Sequence, residues 1–233
     1  MFILNLFKHN SILFIIMSAV AENDATPTFV YWGLAARAQE AMLMLDAAKI
    51  DYVWDKDTAN KWKSETESPK ENMPFGQLPV LRHNGMQIAQ SGTIARYCAA
   101  LSSLLSDKIE EQVLSDMLHE HSNDIFTCFA KAKYAGDDFA QKVAWERVKG
   151  KDLPEKLKWL VKLLGDKTFF SGDKVQAGDI SVFNVLNIAF KAGLDNCLDN
   201  FPTLLSHYNA VGRIGNIPKY IEADTPAYIV VPK

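Results

Sequence analysis

Met73-Pro-Phe-Gly-Gln-Leu-Pro-Val-Leu81 and, further on, Gln90-Ser-Gly-Thr-Ile-Ala-Arg-Tyr97 frame the stretch on which the fold turns. Between them, Pro79 to His83 and Met86 to Ala89 are extended runs separated by Asn84-Gly85. That dipeptide tolerates φ > 0 and suits a type I′ hairpin turn. A proline heading a strand gives no N–H to the ladder, so Pro79 marks a sheet edge or a bend, with a cis peptide among the options. A bend would turn the Leu78 backbone outward, where its N–H and C=O can pair with a short peptide. Ser91 then opens a helix whose Ile94, Cys98, Leu101 and Leu105 share a face, and its hydroxyl can cap the first turn. Unpaired amides and a partial positive charge at that end suit a carboxylate. Together the two features imply a peptide-like anion as ligand; separately, each also fits an ordinary strand start and an ordinary cap.

Working outward, Thr28 to Trp32 is β-branched and aromatic, Ala35 to Ala48 carries apolar residues at helical spacing, and Asp51 to Trp54 is extended again. This is a βαβ start, with Ala38, Met42, Leu45 and Ala48 as the inward stripe. Asp55 to Asn72 is charged and reads as an irregular exposed stretch with at most a short helix around Trp62. The parallel pair and the hairpin make a mixed four-stranded sheet with helices on it. Everything after Leu105 reads as helical. Ile109, Val113, Met117 and Leu118 form one stripe, and Asp152 opens a helix with Leu157, Leu160, Val161 and Leu164 inward. Ile180 to Ala192 is apolar nearly all round, as the central helix of a bundle is, and Gly193 stops it. Pro202 to Val211 and a short piece near Pro218 complete the all-α part.

The 233 residues hold 28 acidic and 25 basic side chains, net charge −3, and are 48% hydrophobic. A globular chain follows, and nucleic-acid binding lacks its basic footprint. Cys98, Cys128 and Cys197 are odd in number without CxxC spacing, which argues against a zinc site and a disulfide framework. His119 and His121 point about 200° apart on a helix, cannot share an ion, and read as solvated. No metal is expected. Phosphate-loop, dinucleotide and serine-hydrolase motifs are absent from the sequence. Residues 1–21 carry Lys8, the apolar run Ile12 to Met17 and Ala19-Val-Ala21, the marks of a signal peptide and hence of secretion. The run is too short to span a bilayer. Unpaired cysteines suit the cytoplasm instead, with residues 1–26 as a leader.

Tyr31-Trp32 with Arg37-Ala38, Pro74-Phe-Gly-Gln-Leu-Pro-Val-Leu81, and Gln90-Ser91 with Ile94-Ala-Arg-Tyr97 resemble the cytosolic glutathione transferases, most like the sigma class with mu- and pi-like touches. The resemblance runs from Phe29 to about Tyr220. It implies a thioredoxin-like domain with a cis-proline over 27–104 and an all-helical substrate domain over 109–233, in a homodimer. It also implies that Tyr31 stabilises the thiolate of the co-substrate glutathione for attack on small hydrophobic electrophiles. By the same resemblance Gln77, Gln90 and Ser91 hold the γ-glutamyl carboxylate, Leu78 beside Pro79 pairs with the cysteinyl backbone, and Trp62 and Lys70 hold the glycyl carboxylate. Asp124 would reach the neighbouring subunit's glutathione, and Trp32, Phe129, Tyr134 and Tyr228 would line the electrophile pocket. Rival functions on the same fold are a glutathione-dependent prostaglandin-type isomerase or peroxidase and a non-catalytic crystallin or ligand carrier. The chain departs from the family pattern at Ala35 and Ala36, where Arg and Gly are frequent. It departs again at Gln176, where a Ser or Thr N-cap is usual before Asp179 at N3, with Val175 expected to pack on Ile180.

Overall fold

The computed structural model of the chain describes residues 25–232, so the signal-peptide reading of 1–21 and nearly all of the leader lie outside the described residues. In chain order the elements are β1 (Thr28–Val30), α1 (Gln39–Ala47), β2 (Val53–Asp55), α2 (Lys56–Asn60), β3 (Val80–His83), β4 (Met86–Ala89), α3 (Ser91–Leu101) and α4 (Ile109–Lys133). They continue with α5 (Asp138–Arg147), α6 (Leu153–Leu164), α7 (Ala177–Lys191), α8 (Pro202–Val211) and α9 (Ile217–Glu222). A π-helical turn, Val148–Asp152, joins α5 to α6. By contact the described chain forms two compact units, 25–32 with Asp51–Ile94, and Gly33–Ile50 with everything from Ala95 onward. Helix α1 therefore packs with the helices, although the sequence places it between two strands.

The first unit is a sheet of order β2-β1-β3-β4, with β1 and β2 parallel and the other pairs antiparallel. Asn84 and Gly85 both take positive φ, 49° and 74°, the pair of left-handed residues that a type I′ turn requires. The Leu78–Pro79 peptide is cis. Val30, Ala59, Met73 and Val80 form a buried cluster against which Trp32, Trp62, Leu78 and Ala89 pack. The stretch from Asp55 to Asn72 is more ordered than its charge suggests. The Asp55 carboxylate accepts the Thr58 N–H at 2.8 Å and starts α2, and 3₁₀ turns occupy Lys61–Lys63 and Lys70–Asn72. Buried Ala59 and Met73, sparse among charges, anchor it.

In the second unit α7 is buried almost all round, with Ile180, Val182, Phe183 and Leu186 at 0% exposure, as its composition predicts. Burying each such side chain contributes about 1.5–3 kcal/mol, so this helix is the core of the unit. It packs on α4 and α1. Gln176, weak as a cap by type, serves otherwise: the Asp179 carboxylate accepts the Gln176 N–H at 2.8 Å, while the Gln176 amide donates to Glu111 at 2.6 Å. Asp152 does not cap α6, because the chain is already helical there; it pairs with Arg147 at 3.2 Å. The stripe expected along α4 splits. Leu118 is buried, but Ile109, Val113 and Met117 are 63%, 50% and 54% exposed. Spacing reveals that residues share a face, and says nothing of which chain covers it. No helix among the described residues is long and apolar enough to cross a membrane.

Candidate functional site

Strand register gathers the expected residues at one end of the sheet. In the antiparallel β1–β3 pair Val30 faces Val80, and in β3–β4 Val80 faces Ala89. Continued by one residue, Tyr31, Pro79 and Gln90 fall in a row across three neighbouring chain segments. Leu78 precedes that row and Ser91 follows it. Tyr31 is 4% exposed, and its carbonyl accepts the Trp54 indole N–H at 3.0 Å, which ties the end of β1 to β2.

Gln90 is a non-glycine residue at φ 69°. That conformation costs about 1–2 kcal/mol for an L-residue and is concentrated at functional positions. Its carbonyl accepts the Ile94 N–H at 3.0 Å, which makes Gln90 the residue from which α3 springs. The amides of Ser91, Gly92 and Thr93 lead that helix, at its positive end.

Trp32 stands 5.4 Å from Tyr31 and 6.3 Å from Trp62, ring centre to ring centre, so three aromatic rings run in sequence, and Trp32 and Trp62 pack on the buried cluster. The Trp62 carbonyl accepts the Ser68 hydroxyl at 2.9 Å, which pins the loop. Lys70 is exposed and lays its aliphatic stem over Gly76: a Cβ at Gly76 would stand 3.5 Å from Lys70 Cγ and Cε. Gly76 itself takes φ 54° in the turn leading to Gln77 and Leu78. Tyr31, Trp32, Trp62, Lys70, Gln77, Leu78, Pro79, Gln90 and Ser91 all belong to the first unit.

The remaining expected residues belong to the second. Asp124 is exposed on α4 and pairs with Lys156 at 3.4 Å. Phe129 is a correction: it is 0% exposed, stacked on Trp145 at 6.0 Å, and has no surface to offer an electrophile. Its helical spacing could not separate an inward face from a pocket face. Tyr134, 63% exposed, lies 6.4 Å from Tyr228. Lys133 covers the Tyr228 ring at 3.7 Å and donates to the Tyr228 carbonyl, and burial holds its ammonium below the ordinary lysine range.

His119 is a second correction. Far from being solvated, it is buried beside Glu40 on α1, and the Asn123 amide meets its other nitrogen at 2.9 Å. Glu40 and His119 are 79 residues apart, and no sequence signal links them. None of the three cysteines is bonded to another, and burial lifts the thiols of Cys98 and Cys197 to about 12.

Residues 27–100 match the family described as glutathione S-transferase, N-terminal domain, and residues 123–224 match glutathione S-transferase, C-terminal domain. The chain is 30% identical over 194 residues to the hematopoietic prostaglandin D synthase of Gallus gallus, covering 82% of this chain and 93% of that protein. It is 27% identical over 202 residues to glutathione S-transferase Mu 1 of Bos taurus, covering 83% and 89% respectively. Among solved structures, a pi-class glutathione S-transferase of Onchocerca volvulus shares the fold with a TM-score of 0.73, at 24% identity, over 89% of this chain and 98% of that one.

Proposed function

Because this chain belongs to the glutathione S-transferase family, we propose that the row formed by Tyr31, Leu78–Pro79 and Gln90–Ser91 receives glutathione and ionises its thiol. The observation that supports this reading is the register, which brings Tyr31, the Leu78–Pro79 segment and the start of α3 at Gln90–Ser91 into one row. Glutathione presents a matching thiol, peptide backbone and α-carboxylate. The Leu78 backbone pairs with the cysteinyl residue by strand addition. Gln77, Gln90 and Ser91 take the γ-glutamyl carboxylate at the start of α3. Trp62 and Lys70 take the glycyl carboxylate.

The chemistry then needs little more than one hydrogen bond and good placement. A thiol of pKa near 8.5 is about 3% ionised at pH 7, and lowering that pKa by two units makes it about three quarters ionised. The Tyr31 hydroxyl donates to the sulfur and favours the anion. The thiolate lone pair forms the C–S bond while the leaving group departs with its own pair. In conjugate addition the displaced pair instead moves along the acceptor and takes up a proton. Trp32, beside Tyr31, offers the electrophile an aromatic surface.

The likeness to a prostaglandin D synthase supports a second reading, in which the same thiolate attacks a lipid endoperoxide. Free cysteines support residence in the reducing cytoplasm. Ile109, Val113 and Met117 recur every fourth residue along α4 and are all exposed, an apolar row that supports a homodimer.

Turnover of a chlorodinitrobenzene with wild type and Tyr31→Phe tests the site. Loss of a hydrogen bond to a charged atom, about 1.5–3 kcal/mol, lowers kcat about 10- to 100-fold. Equal, negligible rates for both proteins would instead point to a carrier.

A further inference from the structure

Away from the sheet row, the second unit carries an open cavity of about 630 Å³ at its surface, between α4, α5, the π-helical turn and α6. Its floor is small and apolar, with Ala132, Ala144 and Val148, and Trp159 stands at its mouth with 58% of its surface exposed. The π-turn shapes the wall: Val148 and Asp152, its first and last residues, both line the cavity. A π-turn widens the helix locally and recurs at functional positions.

The charges on the wall are only partly spent. Lys156 is held by Asp124 at 3.4 Å. Arg147 uses its Nε on Asp152 at 3.2 Å, which leaves the terminal guanidinium nitrogens directed to no acid among the described residues. Lys131 and Glu155 line the same cavity and make no ion pair among the described residues. The cavity thus offers two cationic donors, one carboxylate and an apolar floor. Its complement is a molecule with two carboxylates, one ammonium and an apolar substituent, and the volume lies within the usual range for small ligands, about 300–1,000 Å³.

We propose that this cavity is a second binding site, for S-substituted glutathione, the product of the reaction above. An S-conjugate carries those two carboxylates, that ammonium and an apolar group on sulfur. Lys131 and the Arg147 guanidinium receive the carboxylates, Glu155 the ammonium, and Trp159 with Val148 the S-substituent. The identity of the ligand rests on the transferase reading; the existence of the site does not.

Cys128, half-buried on the cavity wall, serves as a reporter. The experiment measures its alkylation by iodoacetamide in the full chain, peptide by peptide, with and without S-hexylglutathione, a thioether that cannot exchange with thiols. At ten times the dissociation constant, about nine tenths of the sites are filled, and alkylation of Cys128 slows about tenfold. In a Lys131→Glu, Arg147→Glu double variant that protection is lost, while turnover and its inhibition by the same compound stay unchanged. Unprotected Cys128 under conditions where turnover is inhibited would overturn the proposal, and so would protection that survives the double variant. The two readouts fail separately: absent turnover sinks the transferase reading, and unchanged alkylation sinks this site.

Discussion

His119 Nδ1 stands 2.6 Å from Glu40 Oε1, and the same carboxylate oxygen accepts the hydroxyl of Ser181, so one buried acid ties α4 and α7 to α1. Burial alone would pull the imidazole pKa down. The hydrogen bond and charge of Glu40 outweigh it, with Glu120 adding to them and Arg96 opposing, and the pKa is raised above the ordinary histidine value. A raised folded-state pKa means the pair's contribution is complete below about pH 6.5, the unfolded value, and is lost as pH climbs through the folded one. Removing one member of such a buried pair costs about 3–5 kcal/mol. Glu40→Gln is therefore expected to cost most at pH 5.5 and distinctly less at pH 9, read from urea midpoints. A cost identical at both pH values would show that His119 does not change its protonation between them, against the argument.

Gly178 permits a close approach of α7 to α4. A Cβ there would lie 2.8 Å from Leu118 Cδ1 and 2.8 Å from the Ser115 Cα, and the second of these is backbone that cannot swing away. Alanine is the better helix former by about 1 kcal/mol, but overpacking costs about 1–3 kcal/mol. Gly178→Ala is accordingly expected to destabilise, and Gly150→Ala, where a Cβ meets nothing within 4 Å, to be neutral or stabilising. Thermal midpoints of the two variants moving in the same direction would contradict the argument.

The contrast between these two features marks what can be read in a sequence. Asn84-Gly85, the βαβ start and the apolar α7 are local patterns, set by φ tolerance and by periodicity within a dozen residues, and they appear where expected. The row of Tyr31, Pro79 and Gln90 depends on register, which no local pattern carries, and these residues are linked in the sequence only through the resemblance of their motifs to one family. The surroundings of His119 and Phe129 could not be anticipated. A histidine two residues from another reads as solvated until a carboxylate from a distant helix meets it, and a phenylalanine on a helix reads alike whether it faces Trp145 or a ligand. Long-range pairings of single side chains leave no periodic trace.

The exposed row on α4 makes a sharper demand. Val113 and Met117 lie one turn apart, 50% and 54% exposed, continuing Ile109 at 63%. A contiguous apolar strip of this kind is covered in a stable soluble chain, and a second copy is the proposed cover. Val113→Glu sets a charge into that contact while leaving the monomer's own core untouched. Sedimentation velocity is expected to show the wild type at twice the mass of the variant at micromolar concentration, with the two far-UV spectra alike. A monomeric wild type would remove the homodimer from the reading.

Gln90 joins strain to binding in one residue. Its left-handed backbone costs about 1–2 kcal/mol that glycine would not pay, although glycine loses about 0.5–1 kcal/mol of its own through chain entropy. Gln90→Gly should thus leave the folded chain as stable as before or slightly more so. What the variant gives up is the amide proposed to hold the γ-glutamyl carboxylate, a bond to a charged group worth about 1.5–3 kcal/mol, so the KM for glutathione is expected to rise about 10- to 100-fold. At saturating glutathione kcat should change little, because Tyr31 and the sulfur keep their places. Steady-state kinetics with glutathione varied, beside a melting curve, decide the matter. An unchanged KM would mean that the left-handed turn at Gln90 serves only to launch α3, and the carboxylate must then be held by Ser91 and the leading amides of the helix without it.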